Sequence, residues 1–399
     1  MADTEAYLSA EQAAETLGIG RATLYSYVSR GLIRAVNVAG DPRRRLYDPH
    51  DIEQMRRRKS VGRRPREVAA TTLDWGFPVL SSGISLIDRG CLYFRGHDAR
   101  KWAEHASLED TARLLWSCGD SDPFAAAGAP DADWGGGLLE RAAALPLTER
   151  CQILLPFVAA GRATAWQRAS PRLWPGGVAL LRAIAAAASA TVPGERPVHE
   201  HLSTAWGLDA AAAEVVRRAL VLLADHELNA SAFAVRVVAS TGASLGACLN
   251  AGLSALSGPL HGGTTSLVER LLEECEGDAE TAVEIRLRRG EGVPGFGHPL
   301  YPEGDPRAAA LLPLLPPDRE REALVSVMAD TVGKLPNVDF ALVAICRAFR
   351  LPPGSGHVLF AVGRTVGWIA HALEQYGEGK LIRPRAHYTG PAPEDGAED

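Results

Sequence analysis

The sequence predicts a mainly α protein, a long helical body preceded by a small helix-turn-helix head, and three observations carry this. Aromatic residues make up 6% of the 399 residues while alanine recurs in runs, a composition of close-packed helices rather than sheets. No stretch of the body gives several period-two apolar runs in series, as a sheet would require. Charge is unevenly spread: residues 1–68 carry 13 Arg+Lys against 9 Asp+Glu, a balance of +4, which leaves −10 on the remainder of a chain of net charge −6. A basic head on an acidic body implies two jobs.

Taken in order, "SAEQAAETLG" opens a helix with Ser9 as N-cap and Gln12 as its capping-box partner, and Gly18 ends it. "GIGRATLYSYVSRG" turns and starts a second helix, which Gly31 stops. Two short helices across a glycine-containing turn form the helix-turn-helix pattern. "LIRAVNVAGDPRRRLY" alternates and holds Gly40-Asp41-Pro42, which predicts a hairpin. "DPHDIEQMRRRKS" predicts a further short helix capped near Asp48. Residues 59–72, basic and then small and polar, read as a linker between a head over 1–58 and a body over 73–399.

In the body, "SLEDTARLLWSCG" predicts a helix capped by Ser107, with Ala112, Leu115 and Trp116 on its apolar stripe, and "DPFAAAGAPDADWGGG" a loop. "GGVALLRAIAAAASATV" is the most membrane-like stretch, but Arg182 interrupts it and it reads as a helix of a soluble protein. "DAAAAEVVRRALVLLADHELNASAFAVRVVAS" predicts two helices with a polar break at His226–Asn229, and the tail "GPAPEDGAED" is acidic and loose. The six cysteines, Cys91, Cys118, Cys151, Cys248, Cys275 and Cys346, show no CxxC spacing. That argues against a zinc site and a disulfide scaffold; with no basic-then-apolar leader in "MADTEAYLSA", the expectation is a cytoplasmic protein with no bound metal and no membrane contact.

Four polar stretches break the helical patterns of the second half: "DHELNAS" with His226, "SGPLHGGTTS" with His261, "PGFGHPLYPEGDPRA" with His298 and Arg307, and "LPNVDFAL" with Asp339. Beyond them lie Arg364 in "GRTVGWIAHALEQ" and Arg383 and Arg385 in "LIRPRAHYTG". Imidazoles exchange protons near neutral pH, an aspartate among apolar neighbours is a candidate general base, and arginines hold carboxylates with paired hydrogen bonds. Such a set suits acid–base work on a small polyanion. The chain has no HExxH and no GxxxxGK[ST], which argues against a zincin and a phosphate loop. Taken singly, each histidine reads equally as a satisfied structural group, most of all His97, His105, His199, His201 and His371, and Asp339 as a helix cap after Pro336-Asn337.

Two resemblances go further. "LSAEQAAETLGIGRATLYSYVSRGLI" with "RRRLYDPHDI" resembles the winged helix-turn-helix head of MerR-type regulators. It implies that the helix from Arg21 to Arg30, with Tyr25, enters a major groove and that Arg43, Arg44 and Arg45 touch backbone phosphate, making DNA a candidate partner. The alternatives are a solvated basic bundle that binds protein or nothing, or a head that only aids assembly. Over roughly residues 80–390, "LYFRGHDARKWAEHASLEDTARLLW", "DHELNAS", "SGPLHGG", "GFGH…DPRA", "PNVDF", "RTVGWIAH" and "RPRAHYTG" resemble citrate synthase in order and spacing.

That second resemblance implies all-helical large and small domains, the small one inserted over approximately 261–345, and a homodimer with shared active sites. It implies oxaloacetate and acetyl-CoA, or another short acyl-CoA, as co-substrates, with no tightly bound cofactor. His226 would bind the keto acid, His261 the thioester carbonyl, and Asp339 would remove the α-proton. His298 would bond the ketone and protonate the alkoxide, Arg307 and Arg364 would hold carboxylates, and Arg383 would reach into the neighbouring subunit. The glycines beside His261 would let the thioester pass close to backbone. The chain departs from the family at Pro302 and Glu303, where a basic residue for a CoA phosphate is common, in lacking an asparagine within "HGGTTS", and in carrying the head. These departures keep open a 2-methylcitrate synthase using propionyl-CoA and a transcriptional regulator that senses oxaloacetate or acyl-CoA.

Overall fold

The capping box expected at Ser9 forms: the Gln12 N–H donates to Ser9 Oγ (3.2 Å) and the Ser9 N–H donates to Gln12 Oε1 (2.9 Å). It starts α1 (Ala10–Leu17) in the first of the two units into which the chain divides, Met1–Ser81 and Ser82–Asp399. The computed structural model describes residues 7–29, 32–38, 41–61, 79–125, 127–159, 168–386 and 388–391.

In the first unit α1 and α2 (Arg21–Ser29) form the helix pair, and α3 (Pro49–Val61) closes the unit, so the expected linker begins inside a helix. A short strand β1 (Leu8–Ser9) joins β2 (Ala35–Val38) and β3 (Asp41–Tyr47) in an antiparallel sheet of order β1-β3-β2. The sheet registers Leu8 and Ala35 on opposite sides of Tyr47. Ala13, Leu17, Leu24, Ile33, Tyr47, Ile52 and Met55 make one small core. Arg34 forks onto Asp51, donating from Nε and Nη2 at 2.9 Å each, and this ties the start of the hairpin to α3.

The second unit opens with a small meander, β4 (Ser85–Asp88), β5 (Cys91–Phe94) and β6 (His97–Asp98), which corrects the expectation of no series of strands in the body. Its two turns are Arg89-Gly90 and Arg95-Gly96, with every φ between 45° and 88°, the left-handed pairing that matches strand twist in tight hairpins.

Helices follow. The principal ones are α4 (Ser170–Ala188), α5 (Ala210–Leu223), α6 (Ala230–Ser240), α7 (Leu245–Leu256), α8 (Thr264–Glu274), α9 (Ala279–Arg288), α10 (Pro306–Leu311), α11 (Arg319–Val327), α12 (Val338–Ala348) and α13 (Ser355–Glu378). α13 threads the large core and packs against α4, α5, α6 and α7, with Trp368 fully buried. Arg182 in α4 is buried, its guanidinium donating to the carbonyls of Ala127, Gly128 and Glu195. No helix among the described residues is long and apolar enough to cross a membrane.

A second apolar core, built from Val268, Leu271, Phe296, Leu324, Met328, Phe340 and Val343, joins α8, α11 and α12. α12 serves both cores: Phe340 and Val343 face the smaller one, Leu342 and Ile345 the larger. Asp339 therefore sits at the start of a helix shared by two packing units.

Candidate active site

α5 runs out at Leu223, and the chain makes a polar bend before Asn229 caps α6 by accepting from the Ala232 N–H (3.0 Å). The bend carries His226, which is buried, with Nε2 2.9 Å from the Tyr301 hydroxyl. His298 stands edge-on to the same ring, centroids 5.2 Å apart, and 5.0 Å from the Tyr301 ring. The Leu300 N–H donates to His298 Nδ1 (3.1 Å), so the neutral imidazole carries its proton on Nε2. The Arg307 guanidinium lies 5.7 Å from the Tyr301 centroid.

One carboxylate organises the next layer. Asp305 accepts from the Arg307 N–H (2.9 Å) at the start of α10 and from the Val338 N–H (3.0 Å) at the start of α12. It also takes one edge of the Arg307 guanidinium, at 3.0 and 2.8 Å. Asn337, not Asp339, caps α12, accepting from the Asp339 N–H at 3.0 Å. Asp339 is therefore in the first turn with its carboxylate free of the capping role.

Arg364 on α13 reaches the remaining groups. It donates from Nε to the Leu223 carbonyl (2.9 Å) and lies 4.8 Å from the Phe360 centroid, and His261 stands edge-on to Phe360 at 6.1 Å. Its Nη2 is buried without a hydrogen-bond partner. His261 Nε2 is 2.9 Å from Ser231 Oγ, which also accepts from the Trp368 indole N–H (3.1 Å) and reaches Asn229 Oδ1 (2.8 Å). The single serine proton thus has two possible acceptors. Donated to His261, it leaves the neutral ring's own proton on Nδ1.

Burial sets the protonation states. It pushes His261 down to about 4, helped by Arg364 and His357, and His298 down to about 4, where Arg307 adds to the effect and Asp305 opposes it. His226 is held well below the ordinary imidazole value by burial, Arg307 and Arg364. Burial raises Asp339 to about 6 against the pull of Arg307 and Arg364, and lowers Arg364 to about 10. At neutral pH the site holds three neutral imidazoles, an ionised carboxylate that reprotonates readily, and two buried guanidiniums.

His226, His298, Tyr301 and Arg307 are thus brought together, Asp339 is coupled electrostatically to Arg307 and Arg364, and His261 and Arg364 both face Phe360. Arg383 and Arg385 are exposed on the segment after α13, and Arg383 makes no hydrogen bond or ion pair with the cluster. Tyr301, Ser231, Asn337 and Phe360 were not singled out from sequence. Ser231, Tyr301 and Asn337 lie inside the quoted polar stretches, whereas Phe360 lies in an apolar helix with no signal.

The turn itself requires the glycines after His261. A Cβ on Gly262 would strike the Leu256 carbonyl and come 2.7 Å from His357 Cε1, and one on Gly263 would come 2.8 Å from Pro259 Cα. The chain's own backbone fills the space that a side chain would need at both positions. Among the expected structural histidines, His201 bonds Thr191 Oγ1 (2.7 Å), and His371 is fully buried against Asp225 (3.1 Å).

In the head, Arg21 is paired with Glu11, Tyr25 is 50% exposed and Arg45 is exposed. Arg30 lies outside the described residues, as do the side chains of Arg43 and Arg44. Among the described residues no group of His, Cys, Asp and Glu forms a metal site.

Comparison with known proteins places both units. The family model for the citrate synthase C-terminal domain matches residues 72–385, and a helix-turn-helix domain model matches residues 7–60. Citrate synthase 2 of Bacillus subtilis is 40% identical over 191 residues, 45% of this chain and 51% of that protein. The 2-methylcitrate synthase of Shewanella oneidensis is 33% identical over 192 residues, 45% of this chain and 51% of that protein. The chain therefore spans about half the length of the curated relatives it matches. The crystal structure of citrate synthase from Thermotoga maritima superposes with a TM-score of 0.64 at 27% identity, covering 79% of this chain and 94% of that one.

Proposed function

We propose, on the premise that the chain belongs to the citrate synthase family, that its body condenses acetyl-CoA, or another short acyl-CoA, with oxaloacetate and releases citrate and CoA. One observation carries the reading: Arg364 Nη2 is buried and unpartnered beside an equally enclosed Arg307. A buried cationic donor without an acceptor costs about 1–3 kcal/mol. A dicarboxylate supplies the acceptors and matches two guanidinium edges.

The proton inventory fits the reaction. Asp339 is ionised at neutral pH and its raised value makes it a stronger base than a solvated carboxylate, suited to the α-proton of a thioester. As the proton leaves, charge grows on the thioester oxygen, and His261 donates to it from Nδ1 when Ser231 gives its own proton to Nε2. The enol carbon then attacks the ketone carbon of oxaloacetate. His298 donates from Nε2 to the ketone oxygen and delivers its proton as the alkoxide forms. Water hydrolyses the resulting thioester to citrate and CoA. His226 is held neutral and bonds the keto acid, and Arg307 and Arg364 hold its carboxylates. The active unit is a homodimer in which Arg383 of one copy completes the site of the other.

The test is release of free CoA by purified protein given acetyl-CoA and oxaloacetate, with Asp339→Asn as control. Turnover that is as fast in Asp339→Asn as in the wild type overturns the assignment of the base. A second reading has its own observation, the helix-turn-helix head: a regulator that senses oxaloacetate or acyl-CoA through this site. Wild-type protein that is thermally stabilised by oxaloacetate but releases no CoA establishes the sensor in place of the synthase. Parallel assays with acetyl-CoA and propionyl-CoA decide between citrate and 2-methylcitrate formation, where one methylene is worth about 1–3 kcal/mol.

A further inference from the structure

We infer that Ser85, on the first strand of the meander, is a positioning residue for His226 and thereby sets the protein's grip on the keto acid; the inference rests on the synthase reading above. The bend that bears His226 is pinned on both sides. From α13, Arg364 donates to the Leu223 carbonyl (2.9 Å), the Gly367 N–H donates to the Ala224 carbonyl (2.9 Å), and His371 pairs with Asp225 (3.1 Å). A Cβ on Gly367 would strike the Ala224 carbonyl and the Asp225 carboxylate, so the close approach of the bend to α13 is built in.

From the other side, 140 residues away in sequence, Ser85 Oγ donates to Asp225 Oδ2 and accepts from the Glu227 N–H, 142 residues away, at 2.9 Å. The Ile87 N–H on the same strand donates to Glu227 Oε1 (2.8 Å). Leu223, Ala224, Asp225 and Glu227 are each anchored by a hydrogen bond to α13 or β4. His226 is the residue between these anchors whose side chain turns to Tyr301 and His298.

The backbone shows why the clip is needed. Glu227 has φ 51°, the left-handed region that a residue with a Cβ adopts at a cost. Released, it favours ordinary geometry, and that change swings the neighbouring His226. The hydroxyl at 85 holds both the residue before His226 and the residue after it. Asp225, fully buried, keeps its charge against the cost of burial because His371, Arg364 and Ser85 face it.

The experiment compares wild type, Ser85→Ala and Ser85→Thr by calorimetric titration with oxaloacetate and by steady-state kinetics for each substrate, at a temperature where every melting curve is flat. Loss of a bridging hydroxyl is expected to weaken oxaloacetate binding and raise its KM about tenfold in Ser85→Ala. KM for acetyl-CoA should stay within about twofold, and Ser85→Thr should retain wild-type binding. Oxaloacetate binding unchanged in Ser85→Ala, a rise in both KM values together, or a Thr variant as weak as Ala overturns the positioning role. Wild-type protein that binds no oxaloacetate overturns the synthase reading itself, and this inference with it, an outcome distinct from the other three.

Discussion

Asp339 and the imidazoles of the site respond to acid in opposite senses. With its value raised to about 6, Asp339 must be ionised to act as the proposed base, so kcat/KM should fall about tenfold per pH unit below about pH 6, read from initial rates of CoA release. Stability follows a different sign. His261 and His298, lowered to about 4 from 6.5, bind fewer protons folded than unfolded across that window. Their contribution is therefore intact above about 6.5 and lost as pH falls toward 4, while Asp339 works the other way between 3.8 and about 6. Tm should accordingly drop more between pH 7 and pH 5 in wild type than in His298→Asn, by calorimetry at both values. Gly262→Ala should lower stability by about 3 kcal/mol or more, because a methyl group there strikes the Leu256 carbonyl, which cannot turn away as a side chain would; thermal melts check it. At this scale the sequence showed the polar islands around His226, His261, His298 and Asp339, since an ionisable residue in an apolar run is conspicuous. Ser85 was invisible, being an ordinary residue in ordinary company, and Tyr301, though inside the polar stretch of His298, carried no signal of its own. His371 looked like filler because its partner, Asp225, comes from 146 residues away.

Helix boundaries were legible wherever the signal was local. The boxes at Ser9 and Ser107 and the break at His226–Asn229 each rest on neighbours within a few residues. The meander was not legible: its strands are two to four residues long, and its turns use Arg-Gly rather than Asn-Gly, a weaker signal. Nor could spacing reveal that α13 delivers Arg364, Gly367 and His371 along one stripe, because the stripe matters only once α5 lies against it. In the head, Leu24 is fully buried at the centre of a small core. Leu24→Ala should cost about 2–5 kcal/mol there and abolish any duplex binding, read by fluorescence anisotropy, while CoA release stays within twofold of wild type. Loss of CoA release in that variant would tie the head to catalysis.

Across the whole chain, the division into a basic head and an acidic body agrees with two units matched by two family models. If the head grips duplex DNA through phosphate, affinity should fall steeply with salt; a titration between 50 and 200 mM salt at fixed DNA tests it, and a flat response argues against phosphate contact. The sequence pattern could not show that α12 belongs to both cores, since Phe340 and Leu342 look alike as apolar residues.

Asp305 has a mechanical consequence. By accepting from Arg307 and from Val338 at once, it rivets the origin of α10 to that of α12. Arg307 and Asp339 consequently travel as a single rigid piece. On the proposed reaction, breathing that admits a bulky thioester must hinge elsewhere, and a liganded crystal should find the spacing from Arg307 to Asp339 preserved while the surrounding walls shift.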